Sequence, residues 1–291
     1  MTAGASAPKK VVVTGAGGRT GGLVFKKLLG NSAYDVVGMV RSEKSAKKLK
    51  KSGGTDGNIA ICDVTDPTGL GGVLEGASAV VLCTSAVPKI YPFSILKIMF
   101  KKLTGAKEVG RPKFHWCPDG EPEKVDWLGA KAQIDAAKAA GVGQFIFVSS
   151  MGGTQPDNFL NSIGKQEDGT AGDILLWKRK AEKYLLESGV PYTIVHPGGL
   201  LDKEGGVRAL VVGINDTLLK RENRSVPRAD VAEVCVQALG MGEAMNRSFD
   251  LASELEGEGE VTKDFAALIG GLEGDSDYSV FQEPPPMAKT A

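Results

Sequence analysis

Eight residues near the start of the chain, Thr14-Gly15-Ala16-Gly17-Gly18-Arg19-Thr20-Gly21, combine glycines, a hydroxyl and a cation at a spacing suited to a bound anion. Gly15 permits a tight turn, Gly18 lets the backbone approach a diphosphate, and Gly21 lets a helix pack closely on a sheet. A helix opening here points unpaired N–H groups at the phosphates. The apolar run KVVVT (Lys10 to Thr14) comes just before it, and RTGGLVFKKLL (Arg19 to Leu29) has helical spacing just after it. Strand, glycine turn and helix in that order are the context the motif requires.

The end of the second expected strand carries the next chemical signal. Sites that hold NAD place a carboxylate there to accept from the ribose hydroxyls. This chain has Arg41, followed by Ser42 and Lys44. A guanidinium cannot accept a hydrogen bond, but it pairs well with a 2′-phosphate. The expected cofactor is therefore NADP(H), with Arg19 as a second phosphate contact.

The elements that must position these residues alternate along the chain. Strands are expected at Lys10 to Thr14, Tyr34 to Val40, Ile59 to Cys62, Ala79 to Cys83, Gln144 to Val148 and Tyr192 to Val195. Between them lie helical patterns at 19–29, 43–51, 123–140 and 173–188, several ended by glycine. Strands alternating with helices specify a doubly wound α/β fold, Rossmann-like, with a parallel sheet covered on both faces. One domain over residues 9–270 is expected, with an insertion at about 89–119 and loose ends at 1–8 and 271–291. Val226 to Ala232 (VPRADVA) should open a further helix, with Pro227 and Asp230 in its first turn. There Arg228 either meets an anion or fixes the helix to the sheet.

Composition narrows the function classes. Lys+Arg and Asp+Glu are both 35, and no DNA- or RNA-binding motif is present, which argues against nucleic acid. The four cysteines are scattered and read as free thiols, and two histidines make a metal site improbable. No apolar run has the length needed to cross a bilayer. The opening MTAGASAPKK lacks the apolar core of a secretory signal. The expected location is the cytoplasm, or the chloroplast where a transit peptide has been trimmed.

At this point the sequence resembles the atypical short-chain dehydrogenases/reductases, in a plant-type branch with sanguinarine reductase-like proteins. The resemblance runs over nearly the whole chain. It rests on TGAGGRTG (14–21), GMVRS (38–42), CDVTD (62–66), TSAVPK (84–89), VDWLGAKAQIDAAKAAGV (125–142), SMGGTQPDNFLN (150–161), WKRKAEKYL (177–185), PGGLLDKEGGVR (197–208) and VPRADVAEVCVQAL (226–239). It implies that Asp63 and Val64 lie by the adenine, and that Thr84, Ser85 and Ala86 run past a cofactor ribose. It also implies that Ser149 and Ser150 stand where a catalytic serine stands, and that Lys178 contacts the nicotinamide ribose. Pro197, Gly198 and Gly199 would border the nicotinamide. The arginine usual before that Pro-Gly is here His196.

One departure matters for mechanism. The group's acid is a tyrosine four residues before the lysine, on the same helical face. That position is Ile174, and Tyr184 lies six residues beyond Lys178. Asp157 is the substitute acid expected from the sequence, with a pKa raised by burial; the competing reading is a loop-capping side chain after Pro156. Lys178 has a competing reading too, as a surface partner of Glu182 at i,i+4. The insertion's first part, Ile90 to Gly105, carries Ile95, Leu96, Met99, Phe100 and Leu103 on one helical stripe. It reads as a lid, a partner-binding helix or a helix packed on the domain. Its shortness and modest basic cluster argue against a membrane-surface role.

Two functions follow. One is an NADPH-dependent reductase of a small, flat electrophile (iminium, quinone or enone) in a pocket lined by Ser150, Met151, Asp157 and the insertion. The other is a non-catalytic NADP(H)-binding sensor or scaffold that docks a partner.

Overall fold

The structure, a computed structural model, describes residues 7–104, 110, 112–279 and 282–284. The first half of the fold runs β1 (Lys9–Thr14), α1 (Arg19–Leu29), β2 (Tyr34–Val40), α2 (Glu43–Lys50), β3 (Ile59–Ile61), α3 (Pro67–Leu74) and β4 (Ala79–Leu82). An insertion follows, in which the short pair β5 (Lys89–Ile90) and β6 (Phe114–His115) flanks α4 (Pro92–Leu103). A π-helical stretch over Glu123–Gly129 then leads into α5 (Ala130–Ala139). The second half continues β7 (Gln144–Val148), α6 (Phe159–Ser162), α7 (Ile174–Ser188), β8 (Tyr192–Pro197), β9 (Gly199–Leu201) and β10 (Leu210–Gly213). It ends with β11 (Ser225–Pro227), α8 (Arg228–Gln237), β12 (Arg247–Ser253) and α9 (Phe265–Gly270).

The main sheet has the order β3-β2-β1-β4-β7-β8-β12-β10. Its strands are parallel except β10, which runs antiparallel to β12. The chain leaves β1 toward one edge and returns at β4 toward the other, so the switch in strand order lies between β1 and β4. In open α/β sheets ligands bind outside the carboxyl ends at such a switch.

Why these segments take these forms is visible in their burial. Val11, Val12 and Val13 are sealed on both faces, which is what a continuous β-branched run in a central parallel strand does. Helix α1 turns Val24, Phe25 and Leu28 into one core layer shared with α8, and each such side chain contributes about 1.5–3 kcal/mol by burial. The opposite layer is built by α3, α5 and α7 through Leu70, Leu74, Ile134, Ala137 and Leu185. Ser42 caps α2 by accepting from Ser45 N–H, and Asp66 caps α3 with Pro67 in the first turn.

Four expectations need correction. Strands β10 and β12 were not anticipated; β12 is internal, while β10 closes one edge. The VPRADVA segment does not open with helix: Ser225–Pro227 pairs in parallel with Gly199–Leu201, and the helix starts at Arg228. The insertion's helix, for which packing on the domain was one of the readings, buries none of its residues, and Gly105 at its end lies outside the described residues.

The stretch from Gly271 was expected to be loose, yet up to Ser279 it is tied to the sheet. Asp275 accepts from Ser248 N and Oγ, and Arg179 donates to the Asp277 carbonyl while stacking on the Tyr278 ring. The Tyr278 hydroxyl donates to buried Glu182 at 2.9 Å. The residues expected to be loose at 1–6, 280–281 and 285–291 lie outside the described ones. Tyr278→Phe should lower the urea-unfolding free energy by about 1.5–3 kcal/mol, the range for a hydrogen bond to a charged group. Unchanged stability in that variant would detach the tail from the fold's energetics.

Candidate functional site

The carboxyl ends of β3, β2, β1, β4, β7 and β8 lie side by side, and the candidate residues follow those strands in turn. Asp63–Val64, Arg41–Ser42, the glycine turn, Thr84–Ala86, Ser149–Ser150 and Pro197–Gly199 therefore form one line along a single sheet edge.

The glycine turn is shaped for a ligand that comes close to backbone. Gly15 has φ +68°, and a Cβ there would meet the Cys83 carbonyl oxygen at 2.7 Å. A Cβ on Gly21 would lie 2.4 Å from the Gly15 carbonyl oxygen, so helix α1 can sit this close to β1 only with glycine. Gly18 caps α1 with no side-chain hydrogen bond and no acidic residue follows in the first turn, so the N–H groups of Arg19, Thr20 and Gly21 stay open to an anion. Gly17 faces α2, where a Cβ would meet Ser45 Cβ at 3.0 Å. Thr14 Oγ1 at the end of β1 is buried and finds no partner among the described residues. These observations fit a dinucleotide phosphate cradle. Beneath it the Cys83 thiol is pushed up to about 12 by burial, with Lys178 pulling the other way, so it stays protonated and unreactive.

The flanks of the cradle are cationic. Arg41 is exposed just past β2, and Lys44, Lys47, Lys48 and Lys51 project from α2 around a depression of about 400 Å³. Lys48 donates to the Gly17 carbonyl at 3.1 Å. Arg19 reaches across to Asp202 at 2.8 Å, with both side chains exposed. Such a surface pair is worth about 0–1 kcal/mol, so little holds Arg19 away from a phosphate. Asp202 also takes Arg228 at 2.8 Å, and Arg228 donates to the Leu200 carbonyl, which fixes α8 to β9.

Lys178 is not on the surface and does not pair with Glu182. Its ammonium is buried and lies 2.8 Å from Asp126 on the π-helical stretch. The other Asp126 oxygen accepts from the Ala86 N–H at 3.0 Å. One carboxylate thus joins the lysine of α7 to the loop after β4, and Gln133 donates to Thr84 Oγ1 at 3.3 Å from about two turns further along. Sequence reasoning did not single out Asp126. The legible signal was its register: it shares the buried helix face of Ala130, Gln133, Ile134 and Ala137, where a lone charge needs a partner. The π-helical geometry that aims it was not legible, because one extra residue per turn leaves no composition mark.

Other candidates are used differently from expectation. Ser149 is buried and donates to Glu182. Ser150 is half-buried and donates to the Met151 carbonyl at 3.0 Å. Met151 turns inward against Leu218 and Ala252 instead of lining a pocket. Asp157 is exposed, so the burial expected of a substitute acid is absent. The loop before it is held by Asp216, which accepts from Gly152 N, Thr154 N and Thr154 Oγ1. Asp63 accepts from Thr65 N and Oγ1, while Val64 packs on the π-helical stretch beside Gly129. Gly198 is hemmed in by the Arg224 carbonyl oxygen, 1.8 Å from where a Cβ would stand.

Ile174 occupies the position of the missing tyrosine and packs with Ala86, Trp116, Val125, Ile163 and Ala171. The place of the acid is therefore apolar, bounded on one side by the insertion's Trp116.

Behind Ser149 lies a sealed charge network. Glu182 accepts from Ser149, Tyr278, Arg179 (3.2 Å) and the His196 ring (3.0 Å), and His196 Nδ1 stands 3.4 Å from Asp250. Burial alone would raise Glu182, but the His196 charge, Arg179 and Ser149 outweigh it and hold its pKa at about 2. Burial likewise opposes a charged His196, yet Glu182 and Asp250 hold that ring at about 9.

A glutamate lowered from 4.5 to about 2 contributes stability that is complete above pH 4.5 and lost as pH falls toward 2. A histidine raised from 6.5 to about 9 contributes stability that is complete below pH 6.5 and lost as pH rises through 9. The pair stabilises the fold most between pH 4.5 and 6.5. Wild-type Tm should therefore fall from pH 6.5 to 9, and His196→Gln should be flat there. That variant should also be less stable by about 3–5 kcal/mol near neutrality, since it strands buried carboxylates. A wild-type Tm that is flat over the same range would mean His196 is neutral in the fold.

A family described as NAD(P)H-binding matches residues 15–241. An uncharacterised chloroplastic protein of Arabidopsis thaliana is 50% identical over 263 residues, covering 90% of this chain and 75% of that protein. Sanguinarine reductase of Eschscholzia californica is 47% identical over 269 residues, covering 89% of this chain and 94% of that enzyme. Among solved structures, an oxidoreductase from Lactococcus lactis aligns with TM-score 0.59 at 20% identity over 90% of this chain and 95% of that one, a likeness of fold. The glycine cradle, the sheet order and these relatives agree, and the chain belongs to the NAD(P)H-binding family.

Proposed function

We propose that the chain is an NADPH-dependent reductase of small, flat electrophiles that accept hydride without a proton from the protein. The observation that carries this reading is Ile174 in its apolar setting, where the family's acid would stand. An iminium carbon needs only hydride; a quinone or enone can take its proton from water afterwards. The name of the Eschscholzia californica relative points toward the same substrate class.

When bound, NADPH supplies the hydride, and the protein's part is orientation and charge. The open N–H groups of the first turn of α1 would hold the diphosphate, and Arg41 the 2′-phosphate. Lys178, aimed by Asp126, would hold the nicotinamide ribose. Ala86 and Gly198–Gly199 would flank the ring. Trp116 and Ile174 offer an apolar wall that keeps water from the acceptor carbon. The relative in Arabidopsis thaliana is chloroplastic, and we carry a plastid location for this chain as part of the proposal, the cytosol being the alternative.

Two measurements test the reading. Arg41→Ala should weaken NADPH binding on the order of tenfold to a hundredfold, the loss of a charge-assisted pair, and leave NADH nearly unchanged. Fluorescence titration of both nucleotides reads this, and equal losses for both would remove Arg41 from the phosphate. In turnover assays following NADPH consumption, sanguinarine as an iminium probe should be reduced. A saturated ketone should be slower in kcat/KM by about a hundredfold or more, the worth of a general acid. Comparable rates on the ketone would mean that an acid is present after all. Tight NADPH binding with no turnover of any electrophile would favour the sensor reading.

A further inference from the structure

Helix α4 presents its apolar face to solvent. Phe93, Leu96, Met99, Phe100 and Leu103 are 85%, 68%, 62%, 67% and 85% exposed. At 3.6 residues per turn these five fall within an arc of about 120°. The opposite side carries Ser94, which accepts from Lys113 N–H at 3.2 Å and donates to the Tyr91 carbonyl at 2.7 Å. Ser94 thereby ties the helix to the edge of its own hairpin, with the stripe turned away from the domain. Exposed, contiguous large hydrophobics of this kind mark a docking surface.

The charge around the stripe says what it docks on. Lys97 and Lys102 lie about 110° to either side of the stripe's centre, and both are exposed. The chain has no Asp or Glu from Gly76 through Lys107, but has lysines at 89, 97, 101, 102 and 107. We propose that α4 is a membrane-surface anchor for an anionic bilayer, its Phe/Leu/Met stripe entering the acyl boundary and its lysines resting at the phosphate level. An interfacial helix has this form: aromatic and aliphatic residues on one face, cations along the borders and no acid. A second copy of the chain is a poorer occupant, because two-fold packing of the stripes sets lysine borders of like charge against each other. The shortness that argued against a membrane in the sequence alone loses its weight, since an interfacial helix need not span anything. This inference stands apart from the reductase reading, and its test involves no turnover.

The test is cosedimentation of the full chain with vesicles of phosphatidylcholine alone and of phosphatidylcholine mixed with phosphatidylglycerol. The wild type should pellet with the mixed vesicles and bind neutral ones on the order of tenfold more weakly or less, with the difference fading at high salt. Leu96→Glu with Phe100→Glu should reduce mixed-vesicle binding by about tenfold or more. Lys97→Ala with Lys102→Ala should weaken it by about fivefold per lysine. The substituted side chains are exposed, so all variants should keep the wild-type Tm and nucleotide titration. Binding to neither vesicle, equal binding to both, or binding that survives the Glu substitutions would overturn the proposal. So would a concentration-dependent wild-type dimer in sedimentation analysis that the Glu variant disperses, which would assign the stripe to a second copy.

Discussion

A carboxylate sealed from solvent must be matched by charges and donors, and Glu182 on α7 recruits them from its own helix and from three other segments. Ser149 comes from the end of β7, His196 from β8, Arg179 from the preceding turn of α7, and Tyr278 from the chain after α9. Asp250 on β12 completes the balance by facing the other side of the imidazole. Losing any cation leaves a buried negative charge unpaired, and that penalty binds α7, three strands and the tail into one cooperative unit. The second half of the sheet, including the unanticipated β12, is tied together by this network as well as by its apolar packing.

The same helix then serves the site from its next face. Lys178 stands one turn before Glu182, but its ammonium leaves the network and meets Asp126 on the far side. Two buried carboxylates thus hold two different cations on α7, and neither interferes with the other. The Asp126 link also reaches the β4 loop through Ala86, so one carboxylate braces that loop and Lys178 together. Beside that polar brace Ile174, Trp116 and Val125 make an apolar wall. In the proposed reductase this arrangement would set fixed charge beside the cofactor and an apolar surface at the acceptor.

The insertion before β7 joins these two properties. Its β6 end delivers Trp116 into the wall, where the indole donates to the Ala171 carbonyl. Its α4 end projects away from the domain with its apolar stripe outward. A contiguous exposed apolar stripe of this size marks an interaction surface. The insertion therefore carries both a residue of the apolar wall and an exposed apolar helix face.

Much of this was readable from residues alone. The β-branched runs and glycine stops identify six parallel strands and the helices between them, because alternation and burial are local in sequence. The turn at Thr14 to Gly21 and the cation at Arg41 are equally local, as each depends on neighbours within a few positions. What tertiary structure alone decides is which distant groups meet. Asp126 finds Lys178, Glu182 finds His196, and Tyr278 returns from a tail expected to be loose. Asp157, placed by sequence in a promising loop, ends exposed, while Asp216 takes the N–H groups of Gly152 and Thr154 in that loop. Likewise the stripe of α4 is plain in the sequence, but its direction is not. Periodicity states that a helix has an apolar side, while only the docking of its hairpin settles whether that side faces the core or the world outside.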